Sequence, residues 1–297
     1  MSKASVLYDA PGPKARRNAR IGTGVGILFI LALLGYVAKR FNDNGQFDAE
    51  LWNPLINPAD DQFGPVWEIL GKGLMNTLIA AVLAIVLSLG VGVLLGVGRV
   101  MLGRVWGFPI IVFIQLFRGL PVIITIFVVW RFSIEFGFRD ALDVLPGQTA
   151  LWYLVIGLTF YNSVIIAEIL RAGLASLPRG QGEAALAVGM TQGQSLRTVE
   201  LPQAFRVMLP ALISQLVVVL KDTSLIAFLG LGYLELLQRG QQISQVLSNP
   251  IQSLFVVGLI FILINYGLSK FAVWLEARLG RASGADTSSV SQQVPAT

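Results

Sequence analysis

Among the charged side chains that fall inside otherwise apolar stretches, Arg118, Lys221 and Asp222 lie farthest from the charged ends of those stretches. A charge in such a place is costly, so each must find a partner or face a polar path. Arg118 is followed by Gly119 and Pro121, which bend or break a helix and free backbone groups. Its guanidinium can then hold a carboxylate brought from outside, or satisfy the freed carbonyls or a neighbouring acid of the same chain; both readings stay open. Lys221 and Asp222 are adjacent and so point about 100° apart on a helix, which favours pairing across helices over pairing with each other. They belong either to a packed charge network or to a polar path, and Thr223 and Ser224 after them can bond back to their own helix. Glu168 precedes Arg171 by one turn, a spacing that predicts an ion pair. Asn162 and Ser163, like Asn76 and Thr77, are uncharged polar residues in apolar stretches that either line a path or join helices. The chain has no cysteine and no histidine, which removes thiol chemistry, the commonest metal ligand and the commonest general base at neutral pH. No catalytic residue and no metal site is predicted. Without a GxxxxGK[ST] phosphate loop, nucleotide-driven work would need a partner protein.

The elements that must position these residues are membrane helices. Of the 297 residues, 55% are hydrophobic and 13% charged, against about 25% charged in an average soluble domain, and the mean hydropathy is +0.71. Apolar runs lie near 21–38, 74–97, 108–130, 149–170, 208–230 and 251–274, each close to the ~20 residues that cross ~30 Å of hydrocarbon as a helix. The runs are apolar on all sides and lack the alternation of a membrane barrel, so the fold class is all-α with about six transmembrane helices. The first run is longer than a secretory h-region and lacks a small-residue cleavage site, and reads as a retained anchor. Basic residues before 21, with Arg99, Arg104, Arg171, Arg179, Arg197, Arg206, Arg278 and Arg281, outnumber those in the alternate loops, which predicts both termini on the cytoplasmic side. The net charge of +5 reflects this topology and gives no reason to expect nucleic acid. The run GVGVLLGVG at 90–98 lies within a span and reads as a close-packing helix surface.

The longest connection on the predicted inner side covers 171–207. Within it, Gly182 is expected to cap a short helix beginning at Glu183, whose carboxylate sits at the positive end of the helix dipole, and Gly189 to supply a left-handed stop. Thr191 and Gln194 have capping-box spacing for a second helix, which Pro202 is expected to end near Glu200. Ala184, Ala185 and Ala187 would let another surface approach the first helix closely; the alternative is an amphipathic connector lying on the inner leaflet.

This stretch, EAALAVGMTQGQSLRTVELP, resembles the EAA motif of bacterial ABC importer permeases, with Glu183, Ala184, Ala185, Gly189, Leu201 and Pro202 in the matching positions. GLMNTL, LFRGLP, AEILRAGLASLPRGQGEAA, LPQAFRVMLPALISQ and LKDTSL extend the likeness to the polar amino-acid uptake branch, which includes histidine, glutamine, glutamate and arginine permeases, the closest in look being actinobacterial glutamate permeases. The resemblance implies a type I importer fold and a permease core at 74–275, with the coupling loop at 171–207. Around it lie a cytoplasmic segment at 1–20, a first transmembrane helix at 21–41, an extracellular loop at 42–73 and a disordered tail at 282–297. It implies a second homologous permease subunit, two cytoplasmic ATPases that bind ATP and Mg, and an extracellular amino-acid-binding protein, with this chain in the cell membrane among lipid and holding no cofactor itself. The EAA helix would dock on the ATPase, and its movement would switch the spans between inward- and outward-facing states.

Three other functions compete. An ion-coupled secondary transporter would usually show paired broken helices in repeated halves, and the sequence has no evident repeat. A membrane enzyme is disfavoured by the lack of histidine and cysteine. Nothing resembles the selectivity filter of a channel.

Overall fold

The computed structural model describes residues 12–178 and 180–284. Among them every regular element is helical. Five helices are long and apolar enough to cross a membrane, or six when the bent pair at 105–135 is taken as one span, which matches the six apolar runs.

Helix α1, Pro13–Asp43, starts on a proline suited to the first helical turn and buries none of its residues. It is longer than the apolar run at its centre. The short helix α2, Ala49–Ile56, lies in the following segment, and the Trp52 indole and the Gln252 amide both donate to the Gln46 carbonyl, tying this corner to the last helix. Helix α3 runs from Phe63 to Met101, far earlier than the apolar run at 74–97 begins. At 1.5 Å per residue it is about 58 Å long, so both ends project beyond ~30 Å of hydrocarbon.

Helix α4, Arg104–Gly119, and helix α5, Val122–Glu135, meet at Leu120 and Pro121 with a bend of 114°. The expected break is therefore present, and it turns the chain through more than a right angle. After the single turn α6, Arg139–Asp143, helix α7, Thr149–Ala175, forms the spine of the bundle. One core gathers Leu151, Leu154 and Leu158 of α7 with Ala80 and Ala84 of α3 and Ile126 of α5. The seam between α3 and α7 is close because Gly92 and Gly96 lie directly against Ile166 and Leu170.

The connection after α7 contains α8, Gly180–Ala187, then α9, Gln192–Ser195, then a π turn, Leu196–Glu200, which leads into α10, Leu201–Asp222. Two expectations are corrected here. Gly182 lies inside α8 and does not cap it. The helix does not stop before Pro202 either. The Leu201 N–H donates to the Leu196 carbonyl five residues back, and this wider turn carries the chain into α10 with Pro202 in its first turn, where a missing N–H costs little.

A 3₁₀ segment, Thr223–Leu229, follows α10. Gly230 and Gly232 then take positive φ angles of 64° and 81°, and the chain runs without helix to α11, Leu236–Val246. Helix α12, Pro250–Gly284, completes the bundle. It includes 282–284 of the segment expected to be a disordered tail; 285–297, like 1–11 of the N-terminal segment, lie outside the described residues.

Candidate functional site

Helix α8 ends in a Schellman motif, as glycine at this position predicts. Gly189 has φ 89°, its N–H donates to the Leu186 carbonyl, and the Met190 N–H reaches back to the Ala185 carbonyl. Beyond it, the Thr191–Gln194 capping box forms in both directions, at 3.3 and 2.8 Å. These signals are local, which is why they could be read from residue types alone. The three EAA residues do not share one face. Glu183 and Ala184 are exposed, whereas Ala185 is buried against the rest of the chain. Leu186 and Val188 add apolar side chains to the exposed surface. Leu201 packs against the cluster formed by Ile166, Leu170, Met208 and Leu212, and Pro202 is exposed.

Glu168 forms the expected ion pair with Arg171, at 2.6 Å, and also accepts from Arg99 of α3 at 2.9 Å. The two cations clamp the carboxylate and join α3 to α7. Arg99 was not foreseen as its partner, because it is 69 residues away and looks like an ordinary basic residue at a span end.

Three of the uncharged candidates, Asn162, Asn76 and Thr77, hold elements together. Asn162 is fully buried; its amide donates to the Leu158 carbonyl, and its oxygen accepts from Gln215 of α10 at 2.6 Å. Ser163 donates to the Phe160 carbonyl. Gln215 carries the same signal as Asn162, a polar residue in an apolar run, and was findable on that ground. At the other end of the bundle, the Asn76 amide donates to the Leu234 carbonyl, Tyr233 donates to the Asn76 carbonyl, and Thr77 accepts from the Leu236 N–H at 3.0 Å. Asn76 and Thr77 thus fasten the irregular segment before α11 to α3. The fully buried Glu235 accepts from the Leu237 and Gln238 N–H groups and caps α11. Burial pushes its carboxyl up to about 7, against the pull of those two N–H groups.

Arg118 is exposed at the end of α4 and has no ion pair among the described residues. Lys221 is exposed and Asp222 half-buried at the end of α10, and the expected cross-helix pairing is absent among the described residues. Both lie where the α-helix tightens to 3₁₀, and among the described residues no opposite charge from another helix comes within ion-pair distance of either. Ser224 bonds back to the Lys221 carbonyl, as its type suggested.

Residues 88–281 match the family of binding-protein-dependent transport system inner membrane components. A glutamate transport system permease of Corynebacterium glutamicum is 41% identical over 243 residues, covering 80% of this chain and 84% of that protein. A glutamine transport system permease of Escherichia coli is 32% identical over 215 residues, covering 72% and 94%. The fold is shared with the solved structure of an amino acid ABC transporter with histidines, at TM-score 0.64 and 24% identity, over 73% of this chain and 96% of that one. An inward-facing methionine ABC transporter shares it at TM-score 0.58 and 23% identity, over 72% and 97%. With the broken third span, the glycine seam and the capped α8 in place, these matches show that this multi-pass membrane protein belongs to the family of binding-protein-dependent transport system inner membrane components.

Proposed function

We propose that the chain is the transmembrane permease subunit of an ATP-driven importer of a polar amino acid, and that the amino acid is glutamate. The observation that carries this reading is the 41% identity to a glutamate permease over 80% of the chain. Basic residues along the connections support an orientation with both termini and α8 on the cytoplasmic side. There the exposed Glu183, Ala184 and Val188 form the surface offered to an ATPase. ATP and Mg belong to that ATPase, and a second homologous permease subunit and an extracellular amino-acid-binding protein complete the assembly. ATPase closure would push α8, and the spans would rock as rigid bodies between inward- and outward-facing states. Arg118, Lys221 and Asp222 are the charges that the fold leaves over for the path. Glu168, Asn162, Asn76 and Thr77 act instead as joints that keep its walls in register, while Ser163 bonds back to its own helix.

The test is uptake by vesicles containing the purified assembly, comparing glutamate with glutamine and arginine. Uptake of glutamate that requires ATP and ATPase is expected. Uptake that persists without ATPase and collapses with the ion gradient would instead make the chain a secondary transporter. Preference for glutamine or arginine would overturn the substrate assignment alone.

A further inference from the structure

We infer that Glu200 is a positioning residue, a strut through which α8 transmits movement to α10; this rests on the coupling role proposed above. Glu200 closes the π turn and immediately precedes α10. Its Oε1 accepts from the Ser195 hydroxyl at 2.8 Å, and Ser195 is buried, so the carboxylate is fixed to the end of α9. The same oxygen lies only 3.2 Å from where a Cβ on Gly182 would stand, so the backbone of α8 rests on it.

Little else seats this helix. Ala185 is its one buried residue, and α8 packs on α9 and the π turn. Towards the end of α3 a cavity of about 200 Å³ separates them, lined by Met101, Gly182, Leu186, Ser195 and Glu200 among others. After α8 the chain is joined to α9 by a turn, which bends before it transmits force. A push on the exposed face of α8 therefore reaches α10 through Ala185 and through the contact of Gly182 with Glu200. The carboxylate resists displacement because its hydrogen bond from Ser195 is charge-assisted, and Gly182 matters because a Cβ there would press on the Glu200 Oε1 at 3.2 Å.

The test uses the full assembly with Glu200→Ala, Glu200→Gln and Ser195→Ala. Glu200→Ala is expected to leave ATPase co-purification intact and hydrolysis active while amino acid imported per ATP falls about tenfold, the loss of one hydrogen bond to a charged group. Glu200→Gln keeps an acceptor for Ser195 and should restore most of the ratio, whereas Ser195→Ala should lower it. An unchanged ratio in Glu200→Ala overturns the inference, and so does loss of ATPase binding, which would make Glu200 a docking residue. Hydrogen exchange of the α8 amides, measured without nucleotide, decides the matter independently of transport. Exchange should quicken by about tenfold in Glu200→Ala and not in Glu200→Gln, and equal exchange in all three proteins overturns the strut. If the unaltered assembly shows no ATP-dependent uptake, the proposed function fails while the exchange measurement still judges the contact.

Discussion

Alanine at Gly92 should weaken the bundle, and alanine at Gly90 on the same helix should not. A Cβ at Gly92 would stand 2.7 Å from Cβ of Ile166 and 2.8 Å from the Ser163 carbonyl oxygen. Carbon atoms sit comfortably at about 3.5–4.0 Å, so the shortfall is about 1 Å. Neither neighbour can yield alone. The carbonyl is backbone, and Ile166 is β-branched and meets the intruder at its own Cβ, where no rotamer change helps. The helices α3 and α7 must part locally, an overpacking that costs about 1–3 kcal/mol, partly offset by the ~1 kcal/mol that alanine gains over glycine in a helix. The net loss of up to about 2 kcal/mol corresponds to an unfolding midpoint lowered by up to roughly 3 °C for a chain of this size. At Gly96 the nearest atom is Cδ2 of Leu170, also at 2.7 Å, but it is the end of a flexible side chain, and a smaller loss is expected. At Gly90 nothing lies within 4 Å. Thermal unfolding of the detergent-solubilised protein should order the variants Gly92→Ala, Gly96→Ala, Gly90→Ala from least to most stable. If Gly90→Ala proves as damaging as Gly92→Ala, the close seam is not what holds the two helices together.

Three further outcomes are expected. Because burial raises the Glu235 carboxyl to about 7 from an ordinary 4.5, its protonated form favours the folded state. The seat of α11 should lose roughly 3 kcal/mol as pH rises from about 4.5 to 7 and change little above that. Unfolding midpoints between pH 5 and 8 should reveal this fall and its absence in Glu235→Gln, and parallel curves would show that the carboxyl does not titrate there. Glu183→Ala, and Gly189→Val with its strained left-handed backbone costing about 1–2 kcal/mol, should weaken ATPase co-purification while membrane insertion is retained; full transport in both variants would remove the coupling role. Arg118→Ala should abolish uptake with the ATPase still bound, and intact uptake would make Arg118 a bystander.

What the sequence disclosed was written locally. The length of an apolar run fixes a span, Gly119 and Pro121 mark a break, and Gly189 with the Thr191–Gln194 pair marks helix ends, each within a few residues of the structure it specifies. The extent of α3 back to Phe63 was not legible from hydropathy, since a helix can continue through polar residues outside the hydrocarbon. Pro202 misled because its usual effect assumes an α turn, and the π turn before it supplies another hydrogen-bond register. The partners of polar residues were the least legible. Asn76 and Thr77 fasten a segment about 158 residues away, and Glu168 finds Arg99 at a distance of 69. A polar side chain in a membrane helix announces that it needs a partner, but only packing decides whether that partner is a substrate or another helix.

That distinction bears on how the bundle moves. Glu168 clamps α7 to α3 through Arg99, Asn162 clamps α7 to α10 through Gln215, and the Gly92 and Gly96 contacts leave no space between the first two helices. Three helices bound this way behave as one block, because sliding any of them would strand a buried polar group or force side chains into backbone. By contrast, α1 buries none of its residues. A force delivered at α8 and carried into α10 would therefore move α3, α7 and α10 together, and opening or closing would be expressed where that block meets its neighbours, at the bend after Arg118.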